Sequence, residues 1–117
     1  GKEGLDKSII YIKTLGEFDG ILGFSQGSAM ATHVFDIVKP KFFISIAGVY
    51  SYNNNFDSDI PSFHFIGNND PIKYKSQKLA SMFKDPTIFY YNGGHILPLS
   101  IARNQYMECN EIIEKLV

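Results

Sequence analysis

This 117-residue sequence contains little cysteine and almost no excess of charge of either sign. Cys109 is its only cysteine, so an intramolecular disulfide is impossible and a cysteine-based metal site is nearly excluded. The 11 basic and 12 acidic residues leave a formal net charge of −1, whereas a protein that neutralises nucleic-acid phosphates needs a basic surplus. We therefore expect no nucleic-acid partner. The cysteine usage fits a reducing compartment, and we expect a cytoplasmic protein.

The sequence also lacks a long hydrophobic run. The longest apolar stretch, Phe42–Tyr50, is far shorter than the about 20 residues that span a bilayer, so we expect no membrane span. The charged opening Gly1–Gly4 carries no apolar signal-peptide core. Gly1 is not an initiator methionine, which indicates a chain that has been processed, cut or trimmed. Length and a hydrophobic content of 44% predict one globular domain.

Hydrophobic periodicity predicts short strands that alternate with amphipathic helices. Four apolar runs have the composition of buried strands: Phe18–Phe24, Lys41–Ala47, Pro61–Gly67 and Thr87–Tyr91. Apolar residues at helical spacing predict four helices: one from Leu5 that Gly16 ends, Gln26–Val38, Ile72–Phe83 and Asn104–Leu116. The polar segment Tyr50–Asp59 is predicted as a loop. This order predicts an α/β fold, in which helices cover both faces of a parallel sheet.

One short segment, Gly23–Gly27 (Gly-Phe-Ser-Gln-Gly), lies where a predicted strand ends and a predicted helix begins. A serine between glycines at such a junction is typical of a nucleophile elbow, a sharp, strained turn that requires small neighbours. The helix that starts at Gln26 directs its first amides towards the serine, where they would stabilise an oxyanion. The alternative interpretation is that Ser25 only caps the helix and the glycines allow close packing.

A nucleophilic serine needs a base and a residue that orients the base, and in this type of turn the chain order is serine, acid, histidine. Asp70 follows the third predicted strand and His95 follows the fourth. Because the carboxyl ends of parallel strands meet at one edge of a sheet, we expect both residues near Ser25. The alternatives are that Asp70, before Pro71, only caps a helix, and that His95 is an ordinary loop residue.

The other histidines and the cysteine are interpreted as structural. His33 lies off the apolar stripe of its helix and is expected to face solvent. His64 stands between two phenylalanines in a predicted strand and is expected to be packed and hydrogen-bonded. Cys109 falls on the apolar face of the last helix and is expected in the core.

Over essentially its whole length the sequence resembles the family of serine hydrolases (FSH) of the α/β-hydrolase superfamily. The resemblance is carried by the elbow segment Phe18–Gly27, the strand segments Lys41–Gly48 and Pro61–Gly67, Ser76 and Leu79 in the following helix, and Gly93-Gly94-His95 with Pro98. It implies that Ser25 is a nucleophile, Asp70 an acid and His95 a base. It also implies hydrolysis of small-molecule acyl (carboxylic) esters with neither a cofactor nor a metal.

Two alternatives to an FSH esterase stay open. The acyl-protein thioesterase and carboxylesterase group shares the Gly-Phe-Ser-Gln-Gly elbow, although the helix with Ser76 and the Gly-Gly-His…Pro ending favour FSH. Family members also carry an N-terminal segment that has no counterpart here and that supplies the second oxyanion amide. We therefore expect either the C-terminal portion of a larger domain or a truncated, non-catalytic interaction module. The Gln26 amide is then the one oxyanion donor expected in this chain.

The lack of a counterpart to the family's N-terminal segment also bears on the rim of the site and on the edge of the sheet. Phe24 and Ile96 are expected at the mouth of the site, where an acyl ester would enter. With N-terminal strands absent, the strand Phe18–Phe24 is predicted to lie at an open apolar edge. We expect that edge to pair with a second copy in a homodimer, to pair with an N-terminal segment, or to aggregate.

Overall fold

Five strands form one sheet in the computed structural model, which describes residues 9–14, 17–52, 54–98 and 100–116. In these ranges the strands lie side by side in chain order: β1 Ile9–Thr14, β2 Glu17–Phe24, β3 Phe42–Ile46, β4 Ser62–Gly67 and β5 Thr87–Tyr91. The helices are α1 Gln26–His33, α2 Phe35–Val38, α3 Lys73–Ser81 and α4 Arg103–Leu116. No helix within the described ranges is long and apolar enough to cross a membrane.

Strands β2 to β5 are parallel, which confirms the predicted α/β fold. Every residue of β3 and β4 is buried, as expected for central strands with helices on both faces. The register aligns Phe24 with Ile46, and Gly67 with Tyr91, at the ends of the paired strands. The carboxyl ends of these strands therefore lie along one edge of the sheet, the edge where ligands bind in such folds.

Alternating side chains of the central strands build two hydrophobic layers. In one layer Ile21 and Phe43 pack against the first three helices through Ala31, Phe35 and Leu79. In the other layer Phe42 and its neighbours pack against α4, where Cys109 is 3% exposed. The predicted core position of Cys109 is confirmed, and burial raises the pKa of its thiol to about 12.

The prediction of a first helix from Leu5 to Gly16 is wrong where the structure describes that region. Residues Ile9–Thr14 form β1, which pairs antiparallel with β2 and sets Ile9 opposite Gly23. Both Leu5 and Gly16 lie outside the described residues. Four of the six residues of β1 (Ile-Ile-Tyr-Ile-Lys-Thr) are β-branched, which favours extended backbone. Backbone pairing with β2 therefore prevails over the helical spacing of the isoleucines.

Strand β1 also corrects the position predicted for the open edge. β2 pairs with β1 on one side and with β3 on the other, so Phe18–Phe24 does not lie at the edge of the described sheet. On this side the edge strand among the described residues is β1. Pairing with a second copy or with a further segment stays a prediction.

The predicted helix Gln26–Val38 is interrupted at Val34. The Val34 amide donates to the Ala31 carbonyl oxygen at 3.1 Å, an i−3 bond that tightens the turn and ends α1. The rotation that follows places Phe35 in the core, where its ring meets that of Phe43 edge-on at a centroid distance of 5.2 Å. The same rotation leaves the apolar side chain of Ile37 81% exposed.

The two structural histidines differ in their environment. His33 is exposed, as predicted, and its Nε2 lies 2.9 Å from Ser51 Oγ. His64 is packed, 1% exposed, against Phe83 at a ring-centroid distance of 5.3 Å. The predicted hydrogen bond of His64 is wrong, because neither ring nitrogen has a partner among the described residues. Burial lowers the pKa of His64 to about 3.

This buried imidazole predicts a pH-dependent loss of stability. Between an ordinary pKa of about 6.5 and the folded value of about 3, the unfolded chain binds a proton that the folded chain does not. The free energy of unfolding should therefore fall by up to about 1.4 kcal/mol per pH unit as pH drops through this window. We expect His64→Leu to remove that contribution in urea titrations from pH 7 to pH 4. The control His33→Leu, at an exposed position, should keep the pH dependence of the wild type. Equal pH slopes of the free energy of unfolding in the wild type and His64→Leu would show that His64 is not its source.

Candidate active site

Ser25 occupies the turn between β2 and α1 in a strained backbone conformation, with φ 56° and ψ −122°. An L-residue rarely adopts this region, and it persists only where the surroundings hold it. The Ser25 amide donates to the Ile46 carbonyl at 3.0 Å, and the Ser25 carbonyl accepts from the Val49 amide at 3.3 Å. A Cβ at Gly23 would lie 2.7 Å from the Ser28 backbone, so this glycine is required for the helix to cross the strand so closely.

Buried hydroxyl groups support the turn from beneath. Ser28 Oγ donates to the Gly23 carbonyl at 2.9 Å, and Ser45 Oγ donates to Ser28 Oγ at 2.8 Å. On the adjoining loop, Ser76 Oγ donates to the Gly48 carbonyl at 2.6 Å. These bonds are buried and join the elbow, the end of β3 and helix α3, and satisfied buried polar groups of this kind fix geometry.

The structure brings the three predicted site residues together in one hydrogen-bonded chain. Ser25 Oγ lies 2.9 Å from His95 Nε2, and His95 Nδ1 lies 2.8 Å from Asp70 Oδ2. The Asp70 side chain is fully buried, whereas that of His95 is 32% exposed. A neutral imidazole that donates from Nδ1 to the carboxylate leaves Nε2 able to accept the serine proton. The three residues follow β2, β4 and β5 at the carboxyl edge of the sheet.

Asp70 contacts His95, but it is not the N-cap residue of α3: that position is Ile72, and it has no side-chain cap bond. Asp70 Oδ2 contacts His95, and Asp70 Oδ1 accepts the Ile72 amide at 2.9 Å. The Asp70 carbonyl also accepts the Lys73 amide at 3.0 Å, at the first residue of α3. One carboxylate therefore bonds both the imidazole and the turn that leads into the next helix.

Tyr91 supports the His95 loop, although no sequence motif marks it as a site residue. It is 1% exposed, and its hydroxyl lies 3.1 Å from the carbonyl oxygens of both Gly94 and Ile96, on either side of His95. Burial raises the pKa of Tyr91 to about 12, with a further contribution from the charge of Asp70, so the hydroxyl remains a donor. A Cβ at Gly67 would lie 2.5 Å from the Gly93 carbonyl oxygen, so this glycine lets the loop fold over β4.

A cavity of about 340 Å³ opens beside the serine. The residues that line it come from the elbow, the loop after β3, the start of α3 and the His95 loop: Ser25, Gln26, Val49, Tyr50, Tyr52, Ile72, Lys75 and His95. Gln26 lies there as expected. Phe24 instead stacks on the His95 ring at a centroid distance of 5.7 Å, and Ile96 is 48% exposed; neither is among the lining residues.

The fold and this arrangement define a chain of the α/β-hydrolase type. A carboxylesterase from Bacillus cereus superposes with a TM-score of 0.60 over 82% of this chain and 49% of that structure, at 18% identity, which shows a shared fold. A sequence profile of the family described as Serine hydrolase (FSH1) matches residues 2–107. The chain belongs to this serine hydrolase family, as the resemblance predicted.

Named relatives in animals agree with this membership. The mouse protein Esterase OVCA2 is 30% identical over an alignment of 119 positions. The alignment covers 89% of this chain and 53% of the mouse protein. An esterase from Caenorhabditis elegans is 33% identical over 115 residues, 83% of this chain and 52% of the nematode protein. The chain spans about half the length of these curated relatives.

The backbone strain at Ser25 predicts an unusual order of variant stabilities. Glycine tolerates this backbone region and alanine does not, so Ser25→Gly should exceed Ser25→Ala by about 1 kcal/mol in free energy of unfolding. At Gln77, exposed within α3, the order should reverse by a similar amount, because glycine disfavours helices. Urea denaturation measures both pairs. The same order at the two positions would contradict strain at the elbow.

The Tyr91 hydroxyl predicts a loosened histidine loop when it is removed. Tyr91→Phe should lower the free energy of unfolding by about 1 kcal/mol and speed hydrogen exchange at the Ile96 amide, which donates to Gly94 at 3.0 Å. The neighbouring Tyr90 is 43% exposed, and its hydroxyl accepts from Gln77, away from this loop. Tyr90→Phe is therefore the control. Unchanged exchange at Ile96 in Tyr91→Phe would remove Tyr91 from this role.

Proposed function

We propose that this chain carries the nucleophile, base and acid of an esterase that cleaves acyl esters through an acyl-enzyme intermediate. The observation that carries the proposal is the continuous hydrogen-bonded chain from Ser25 Oγ through both His95 ring nitrogens to Asp70. A serine hydroxyl is a weak nucleophile until a base accepts its proton. The imidazole lies at the distance that this transfer requires.

In the first half of the reaction, Ser25 Oγ attacks the ester carbonyl while His95 Nε2 takes its proton. Asp70 holds the imidazole in the required tautomer and stabilises the imidazolium. The imidazolium then gives the proton to the departing alcohol oxygen, and the acyl group remains on Ser25. In the second half, His95 deprotonates a water that attacks the acyl carbonyl, and the acid and free serine are released.

The negative charge that develops on the carbonyl oxygen requires a hydrogen-bond donor. Gln26 is the first residue of α1, so its amide has no acceptor within the helix, and the helix dipole adds to the attraction. In hydrolases of this type a loop after an earlier strand supplies a second amide. We propose that the active protein obtains this second donor from a segment that precedes the elbow.

The relatives support the choice of an ester as substrate. Both animal proteins are named as esterases, and each contains a region that matches this chain. The acyl-protein thioesterase alternative shares the Gly-Phe-Ser-Gln-Gly elbow motif. Esters and thioesters pass through the same acyl-enzyme, so relative rates on matched oxygen and sulfur esters would separate the two.

Variants of two aspartates test the proposed mechanism in the full-length protein. Asp70→Asn should lower kcat on a para-nitrophenyl ester by about 10³- to 10⁴-fold, because the amide stabilises the wrong imidazole tautomer. Asp57 is the matched control, since its Oδ1 also accepts an amide two residues on, from Asp59 at 3.0 Å, but in an exposed loop. Asp57→Asn should therefore retain wild-type kcat.

Ser25→Ala should abolish the acyl-enzyme and leave the fold intact. An Asp70→Asn enzyme with wild-type turnover, or ester hydrolysis that survives Ser25→Ala, would contradict the mechanism. A folded full-length protein without turnover on any ester would favour the interaction-module alternative.

A further inference from the structure

The cavity beside Ser25 has an unequal charge distribution. Among the described residues that line it, Lys75 is the one permanently charged side chain, and no carboxylate faces it from the lining. The nearby carboxylate of Asp70 is buried and engaged by His95 and the Ile72 amide. An anion that enters the cavity would therefore be attracted by Lys75, and no carboxylate in the lining would repel it.

The position of Lys75 follows from the same aspartate that holds the base. Lys75 lies in the first turn of α3, and its amide donates to the Ile72 carbonyl at 2.9 Å. The Ile72 amide is in turn held by Asp70 Oδ1. Lys75 is half-buried, with Nζ 6.0 Å from the centroid of the Tyr74 ring. Lys75 is thereby placed in the lining of the cavity that contains Ser25.

Two phenols in the same lining add a hydrogen-bond donor. The hydroxyls of Tyr50 and Tyr52 lie 2.9 Å apart. Whichever of them donates in this bond, the proton of the other hydroxyl is directed elsewhere, because each phenol carries one proton. The hydrogen bond to Tyr52 is the main reason that the pKa of Tyr50 is raised, so the Tyr50 hydroxyl stays protonated at neutral pH.

We propose that this cavity selects esters that carry an anionic group, such as a carboxylate, on the part that does not react, with Lys75 as the specificity-determining residue. The proposal rests on the esterase function proposed above. Lys75 supplies the charge, and the phenol pair supplies an additional hydrogen-bond donor. A neutral ester of the same size would lack the charge interaction with Lys75.

The test compares matched anionic and neutral esters in the full-length protein. The para-nitrophenyl monoester of glutarate and para-nitrophenyl valerate differ by a carboxylate on the acyl part. The butyrate esters of para-hydroxybenzoate and of its methyl ester differ by one on the alcohol part. For at least one pair, the anionic-to-neutral ratio of kcat/KM should exceed one in the wild type. The pair with a ratio above one shows whether the anionic group is recognised on the acyl part or on the alcohol part of the ester.

Charge variants of Lys75 then assign the preference. We expect Lys75→Met to lower that ratio on the order of three- to tenfold, Lys75→Arg to restore it and Lys75→Glu to invert it. Lys78→Met is the control, because Lys78 has the same charge on the same helix but does not line the cavity. In the wild type, an increase in salt from about 0.02 M to about 0.5 M should also lower the ratio. This salt effect needs no variant to fold.

Equal ratios in the wild type and a folded Lys75→Met, an equal fall in Lys78→Met, or no response to salt would overturn the proposal. A second readout separates it from a failure of the esterase function. In a Ser25→Ala background, calorimetry should show that monomethyl glutarate binds more tightly than methyl valerate. Addition of Lys75→Met should remove the difference. If both compounds bind with equal affinity, the proposed selectivity for anions is wrong. If the anionic compound binds more tightly but the wild type hydrolyses no ester, only the proposed esterase function is wrong.

Discussion

The buried carboxylate of Asp70 connects the parts of this site. One oxygen contacts His95 Nδ1 at 2.8 Å, and the other accepts the Ile72 amide at 2.9 Å. The first contact fixes the imidazole that faces Ser25; the second fixes the start of α3 and, through it, Lys75. A single charge held away from water thus orients the proposed base and positions the proposed specificity residue. Hydrogen bonds to a charged group of this kind are among the strong ones in proteins.

Ser25 imposes the second constraint, because its backbone is held in a conformation that its side chain disfavours. The surrounding bonds from Ile46 and Val49, and the absence of a side chain at Gly23, hold the turn in place. The buried serines beneath it join the elbow to β3, while Tyr91 fixes the opposite loop. The cost of the strained turn is met by packing that is spread over the whole carboxyl edge of the sheet.

Sequence patterns predicted the parts of the fold in which local and long-range preferences agree. The four parallel strands were predicted because their apolar runs are bounded by glycine, proline and polar residues. The positions of Asp70 and His95 followed from the rule that parallel strands share one carboxyl edge. The prediction of a first helix was wrong because the isoleucines of Ile9–Thr14 have a spacing that suits a helix, whereas pairing with β2 gives this segment an extended backbone.

Other features depended on contacts that no periodicity contains. The break at Val34 and the exposure of Ile37 follow from the packing of Phe35 on three other rings. His64 was expected to have hydrogen-bond partners, but aromatic side chains occupy its surroundings. Tyr91 gave no signal except its place at the end of a strand, because its role depends on the path of the following loop.

Reaction of the folded, full-length protein with a fluorophosphonate probe shows whether Ser25 is an activated nucleophile. The phosphorus is attacked only by a serine that a neighbouring base has activated, and fluoride leaves. We expect one stable adduct, mapped by mass spectrometry to Ser25, that heat-denatured protein does not form. A folded protein that stays unlabelled, or one labelled at another residue, would contradict the claim that Ser25, His95 and Asp70 form a working nucleophilic site.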